Sequence, residues 1–161
     1  MGTSSDKQMI ALKGYYPEDD DCFSFVDLHD RWSVAKALQG LNDSILMEGP
    51  SDIIMAASAG ASVASLLLMR EAGHPMSDQP LIKGAVFLSG HAIDASALGD
   101  NHLKFLESSL GKYQITIPME NIWRGDDSNP RHTTSSQLAA ICKPELNINF
   151  IHNADTFIIP C

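Results

Sequence analysis

The sequence predicts an α/β fold: a mostly parallel sheet flanked by helices. Short apolar runs of strand length alternate with segments of helical period. The runs are apolar throughout, as strands buried on both faces are. The connections between them are short, which implies right-handed crossovers and a sheet with helices on both faces. At 161 residues the chain is one domain.

The elements follow in order. Met1 to Lys7 is Ser/Thr-rich and polar, and residues 1–14 are expected to be disordered. Glu18 to Asp21 is an unbroken carboxylate run, read as a solvated loop pinned by Tyr15-Tyr16-Pro17 on one side and Phe23 and Phe25 on the other. A helix starts near Asp30, a capping residue, with Trp32, Ala35, Leu38, Leu41 and Ile45 at helical spacing, and ends at Gly49-Pro50. Asp52 to Ala56 reads as a strand buried on both faces, and Ser58-Ala59-Gly60 as a tight corner. Ala61 to Ala72 is a helix of small and aliphatic residues closed by Gly73. The alternation then repeats: a buried strand Gly84–Leu88 ending at Ser89-Gly90, a helical segment Leu103–Leu110, a strand Ile115–Trp123 led by Ile117-Pro118, a helix Thr133–Cys142 and a last strand Leu146–Ile151.

Composition narrows the partners. Lys and Arg total 11 and Asp and Glu total 20, a net charge of −9. That balance argues against nucleic acid or an anionic membrane as the main partner, since both need clustered positive charge. No apolar run approaches the roughly 18 residues of a membrane span. With 44% hydrophobic residues the chain can bury a core. Cys22, Cys142 and Cys161 are odd in number, widely spaced and without a C-x-x-C pattern, which points to reduced thiols in a cytoplasmic protein. No glycine-rich phosphate loop and no metal-ligand spacing is present in the sequence, so no cofactor is expected.

Function in such sheets collects at the carboxyl ends of the strands, and three of these ends hold reactive residue types. The first is Ala56-Ala57-Ser58-Ala59-Gly60. A serine on a sharp strand-to-helix turn stands exposed above the sheet, with small neighbours because strand and helix pass close together. Ala56 stands where the usual G-x-S-x-G pattern has its first glycine. Read from the residues alone, Ser58 is either a nucleophile or an ordinary helix N-cap. The second is Asp127, with Asp126 beside it; it falls where the acid of a Ser…Asp…His chain order belongs, and equally suits a turn. The third is His152, in the loop expected after the last strand, either a base or a surface histidine; His91, after Ser89-Gly90, is its nearest rival.

Taken together these residues resemble the fungal serine hydrolases of the α/β-hydrolase superfamily, which include the yeast serine hydrolases and the thioesterase-like hydrolases of fungal polyketide clusters. The matching pieces are Phe23-Ser24-Phe25, Trp32-Ser33-Val34-Ala35, Glu48-Gly49-Pro50-Ser51-Asp52, the Ser58 corner, Ala85 to Gly90, Ile117-Pro118 and Asp127. The resemblance implies an ester or thioester hydrolase with Ser58 as nucleophile, the Ala59 amide as oxyanion donor, and Asp127 and His152 as acid and base. It implies a small acyl substrate of fungal secondary metabolism, with a polyketide synthase as partner. Three departures go with it. The family's opening strand and His-Gly loop have no counterpart in Met1 to Gly14. Its terminal pattern, roughly His-x-Gly-Gly-His-x-x-Pro, aligns His152 with the first His and puts Thr156 at the catalytic one. The sequence stops at Pro160-Cys161, before the family's last helix. The expectation is therefore a single, incomplete domain over residues 1–161 that lacks the first strand and last helix. It carries an uncovered sheet edge through which it can oligomerise. The alternative is a degenerate member that binds a ligand or partner without catalysis, since a hydroxyl at Thr156 cannot take up a proton near neutral pH.

Overall fold

The computed structural model describes residues 10–11, 23–75, 78, 80–90, 114–125 and 130–152. Its centre is a four-stranded parallel sheet of β3 (Ser51–Ala57), β4 (Ile82–Leu88), β5 (Met119–Arg124) and β6 (Asn147–His152), which lie side by side in chain order. Before it, β1 (Ile10–Ala11) and β2 (Phe23–Ser24) form a small antiparallel pair. The helices are α1 (Arg31–Glu48), α2 (Ala59–Gly73) and α3 (Pro130–Ala140), and a 3-10 turn, Pro144–Leu146, leads into β6.

Local chemistry sets the ends of α1. Asp30 has extended backbone angles, and its carboxylate accepts from the Trp32 amide at 3.0 Å, satisfying one donor that the first turn leaves open. Gly49 ends the helix at φ 89°, a conformation that costs other residues more, while its amide donates to Ile45 O. The buried stripe is Val34, Leu38, Asn42 and Ile45. Trp32, expected on that stripe, is 62% exposed instead, with the Arg31 guanidinium 5.7 Å from its ring centre. At 3.6 residues per turn Trp32 lies roughly 120° around the helix from Leu38, off the buried stripe.

The core lies between one sheet face and α2. Residues Ala61 to Met69 of α2 are all buried, so this helix is enclosed on every side by the sheet and α1. Ala85, Phe87 and Met119 fill the facing positions on the strands. Each fully buried Leu, Val or Met contributes about 1.5–3 kcal/mol. The Asn42 amide oxygen accepts from Arg70, which ties α1 to α2. On the same face, toward β6, buried Asn121 donates to Asn147 Oδ1 at 2.8 Å, and Asn147 donates to Ala139 O at 3.0 Å, so an amide chain locks β5 to β6 and to the end of α3. The sulfur of buried Cys142 lies near the carbonyls of Ile115 and Ile117.

Handedness explains which face is covered. Strands laid down in chain order and joined by right-handed crossovers send every connection over the same face. The described helices accordingly share one face, and the expected cover on the second does not come from them. Ile53, Met55, Ile148 and Phe150, on the opposite face, are 52–68% exposed. The reading of Asp52–Ala56 as buried on both faces is corrected: Ile53 and Met55 are exposed, and among the described residues β3 is covered on one face. The strand expected from Ile115 begins at Met119. Pro118 has no amide to donate and offers only its carbonyl, to the Ala85 amide at 3.0 Å, while Ile115 makes an isolated bridge with Cys142. The helical segment expected over 103–110 lies outside the described residues.

Candidate active site

Ser58 sits between the last residue of β3 and the first of α2 with φ 49° and ψ −125°. Its amide donates to Leu88 O at 2.9 Å, and its carbonyl accepts from the Ala61 amide at 3.1 Å. The backbone is thus held on both sides while the residue remains exposed. An L-residue in this region carries strain of about 1–3 kcal/mol. The contrast with Asp30 speaks against the cap reading of Ser58. An N-cap has extended angles and a side chain bonded to the first turn; Asp30 meets both conditions and Ser58 meets neither, making no capping hydrogen bond. The corner is a strained elbow that holds a hydroxyl out above the carboxyl end of the sheet.

The surroundings fit an acyl-transfer centre. Ala59, the first residue of α2, has an amide for which the helix supplies no acceptor, at the positive end of the helix dipole. A methyl on Gly60 would lie 3.8 Å from the Phe25 ring and 4.0 Å from the Ala56 methyl, ordinary contact distances. Ala56 therefore serves in place of the pattern's first glycine, and the small-residue requirement at Gly60 is looser than the pattern suggests. The tight approach is at Gly90, where a methyl would press on Leu138 and sit 2.7 Å from the Ala61 methyl.

The other expected site residues are not assembled around Ser58 among the described residues. His152 is the last residue of β6, not a loop residue: its backbone is in register with Arg124, and its carbonyl accepts from the Gly125 amide at 3.0 Å. The sheet order places β6 three strands from β3, about 14 Å at the usual spacing. A Ser58–His152 hydrogen bond therefore requires the end of β6 to leave the sheet. Asp126, Asp127, His91 and Thr156 lie outside the described residues. What the fold does bring beside Ser58 is Ser89. Ala57 is in register with Leu88, so the two serines follow on adjacent strand ends, and Ser89 too has positive φ, 48°. In the sequence Ser89-Gly90 reads as a strand terminator within the matching piece Ala85 to Gly90, with no role for the serine. The overlooked signal was a second serine at the end of an apolar run.

Elsewhere, Asp52 and Lys83 form an exposed ion pair at 2.7 Å between β3 and β4, and the hydrogen bond and charge of Lys83 hold the Asp52 carboxyl below its ordinary pKa. Burial pushes the Cys142 thiol above its ordinary value. A cleft of about 340 Å³ opens between Leu68, Glu71, Pro80, Ile82, Ile115 and Ile117. It lies at the amino ends of the strands, opposite Ser58, and is not the space above the elbow. Among the described residues, no group of three or more His, Cys, Asp and Glu side chains could hold a metal ion, and no helix is long and apolar enough to cross a membrane.

Residues 3–160 match the family model described as Serine hydrolase (FSH1). The chain is also 29% identical over 138 residues to Esterase FPY3 of Fusarium mangiferae, an alignment covering 84% of this chain and 61% of that protein. The chain thus aligns with somewhat less than two thirds of that relative's length.

Proposed function

Because the chain belongs to the FSH1 serine hydrolase family, within the α/β-hydrolases, we propose that it hydrolyses a small-molecule ester or thioester through an acyl-enzyme on Ser58. The observation that carries this reading is the exposed, positive-φ Ser58 at the strand-to-helix corner. Ser58 Oγ attacks the carbonyl carbon and gives up its proton to a base. The carbonyl oxygen takes the negative charge, stabilised by the Ala59 amide. The alcohol or thiol departs with the proton, and water then cleaves the acyl-enzyme. Asp127 orients the base, and His152 fills that role when the end of β6 turns toward the elbow. The acyl group belongs to the polyketide type and is delivered by a polyketide synthase, a reading supported by the resemblance in the sequence. Incubation with a fluorescent fluorophosphonate tests the core claim. Labelling of the wild type that vanishes in Ser58→Ala supports it; a folded wild type that stays unlabelled refutes it. Loss of labelling in His152→Ala supports the assignment of the base.

The distance from Ser58 to β6 favours one second reading: a non-catalytic member that binds acyl ligands above the elbow. A serine without its base loses about 10⁴–10⁶ in rate. Ligand binding by an unlabelled, folded protein is its signature. We propose also that copies associate along β3, which pairs only with β4 among the described residues and presents exposed Ile53 and Met55. Light scattering that returns a monomer at all concentrations refutes this. The cysteine pattern and the buried Cys142 thiol support a cytoplasmic location.

A further inference from the structure

Two non-glycine residues among those described have positive φ, and they stand side by side: Ser58 at 49° and Ser89 at 48°. Ser89 directly follows β4, the strand paired to the one that leads into the elbow. Its amide donates to Ile122 O at 2.8 Å. The next residue, Gly90, is wedged against Ala61 and Leu138, and its carbonyl accepts from the buried Ser135 hydroxyl at 2.7 Å. Packing and hydrogen bonds from α2, α3 and β5 thus hold Ser89 in a conformation that glycine would adopt at less cost. The glycine of the pair is one position later, where close packing demands it, so the turn alone does not account for a serine at 89. Strain kept at a non-glycine residue beside a reactive group points to a function for its side chain.

The sheet order says what that function is. A base reaching Ser58 from the loops after β5 or β6 must pass over the end of β4, where Ser89 stands. In acyl transfer the group that takes the serine proton later gives it to the leaving group, so the leaving group lies on the base's side. Resting on the Ser58 reading above, we infer that Ser89 is a specificity-determining residue whose hydroxyl hydrogen-bonds to a polar group on the alcohol or thiol half of the substrate, next to the scissile bond.

Two esters of one acid test this, a 2-hydroxyethyl ester and its apolar n-propyl counterpart. In Ser89→Ala, kcat/KM for the hydroxyethyl ester falls about tenfold. The propyl ester stays within about twofold, and so does the rate of fluorophosphonate labelling at Ser58, the change expected where no hydrogen bond is lost. Ser89→Gly shows the same loss of discrimination while its Tm rises by about 2–4 °C as strain is released. Equal effects on both esters in both folded variants, or no effect on either, overturn the assignment. If the wild type neither labels nor hydrolyses, the Ser58 reading falls and this one with it. A wild type that labels, with discrimination unchanged in the variants, removes Ser89 alone.

Discussion

Gly90→Ala tests the packing that sets the elbow, with Gly60→Ala as its control. The new methyl at position 90 would sit 2.7 Å from the Ala61 methyl and press on Leu138. Carbon atoms prefer about 3.5–4.0 Å, so roughly 1 Å must be found. Leu138 can turn its branch aside, but the Ala61 methyl is fixed to α2, and α2 is buried all round from Ala61 to Met69. Overpacking of this kind costs about 1–3 kcal/mol. For a chain of this size, a loss near 2 kcal/mol lowers Tm by about 4–8 °C. Ala61 lies two residues beyond Ala59, so a shift of α2 also displaces the amide proposed as the oxyanion donor, and misplacement by about 1 Å can cost about a hundredfold in rate. At Gly60 the nearest atoms are 3.8 Å from the added methyl. There the substitution is neutral, or stabilising by up to about 1 kcal/mol through helix propensity. Thermal unfolding followed by circular dichroism, with fluorophosphonate labelling of the same samples, measures both effects. A Gly90→Ala variant as stable as wild type, or a Gly60→Ala variant that is the more damaged, refutes this account of the corner.

The contrast between the two helix starts predicts that Asp30→Ala loses about 1 kcal/mol, read as a lower urea midpoint, because it removes a cap. Ser58→Ala leaves the midpoint near wild type because no cap exists there; a larger loss for Ser58→Ala than for Asp30→Ala contradicts the elbow. Cys142 reacts slowly with a thiol reagent at pH 8 in the folded protein and fully in urea, as read by peptide mass mapping. Its thiol is raised above 9.0 in the folded state, so the unfolded chain ionises first and the group's contribution to stability fades as pH rises beyond 9.0. Rapid native labelling at this position contradicts the burial.

The sequence by itself determined the alternation of strands and helices, the start of α1 at Asp30, its end at Gly49 and the corner at Ser58. Each of these is written in a few adjacent residues: a capping carboxylate, a glycine free to take positive φ, an apolar run next to a helical period. The tertiary structure alone decided what depends on partners distant in the chain. The backbone angles of Ser58 and its missing capping hydrogen bond, which speak against the cap reading, are set by the packing of the corner. Ile53 and Met55 read as buried because apolar runs report hydrophobicity, whereas coverage follows from the face on which the described helices pack. His152 read as a loop residue because the end of a strand depends on its neighbour, here Arg124 of β5 and Gly125 just after it. The pairing of Ser58 with Ser89 joins residues 31 positions apart, and only the register of two parallel strands brings them together.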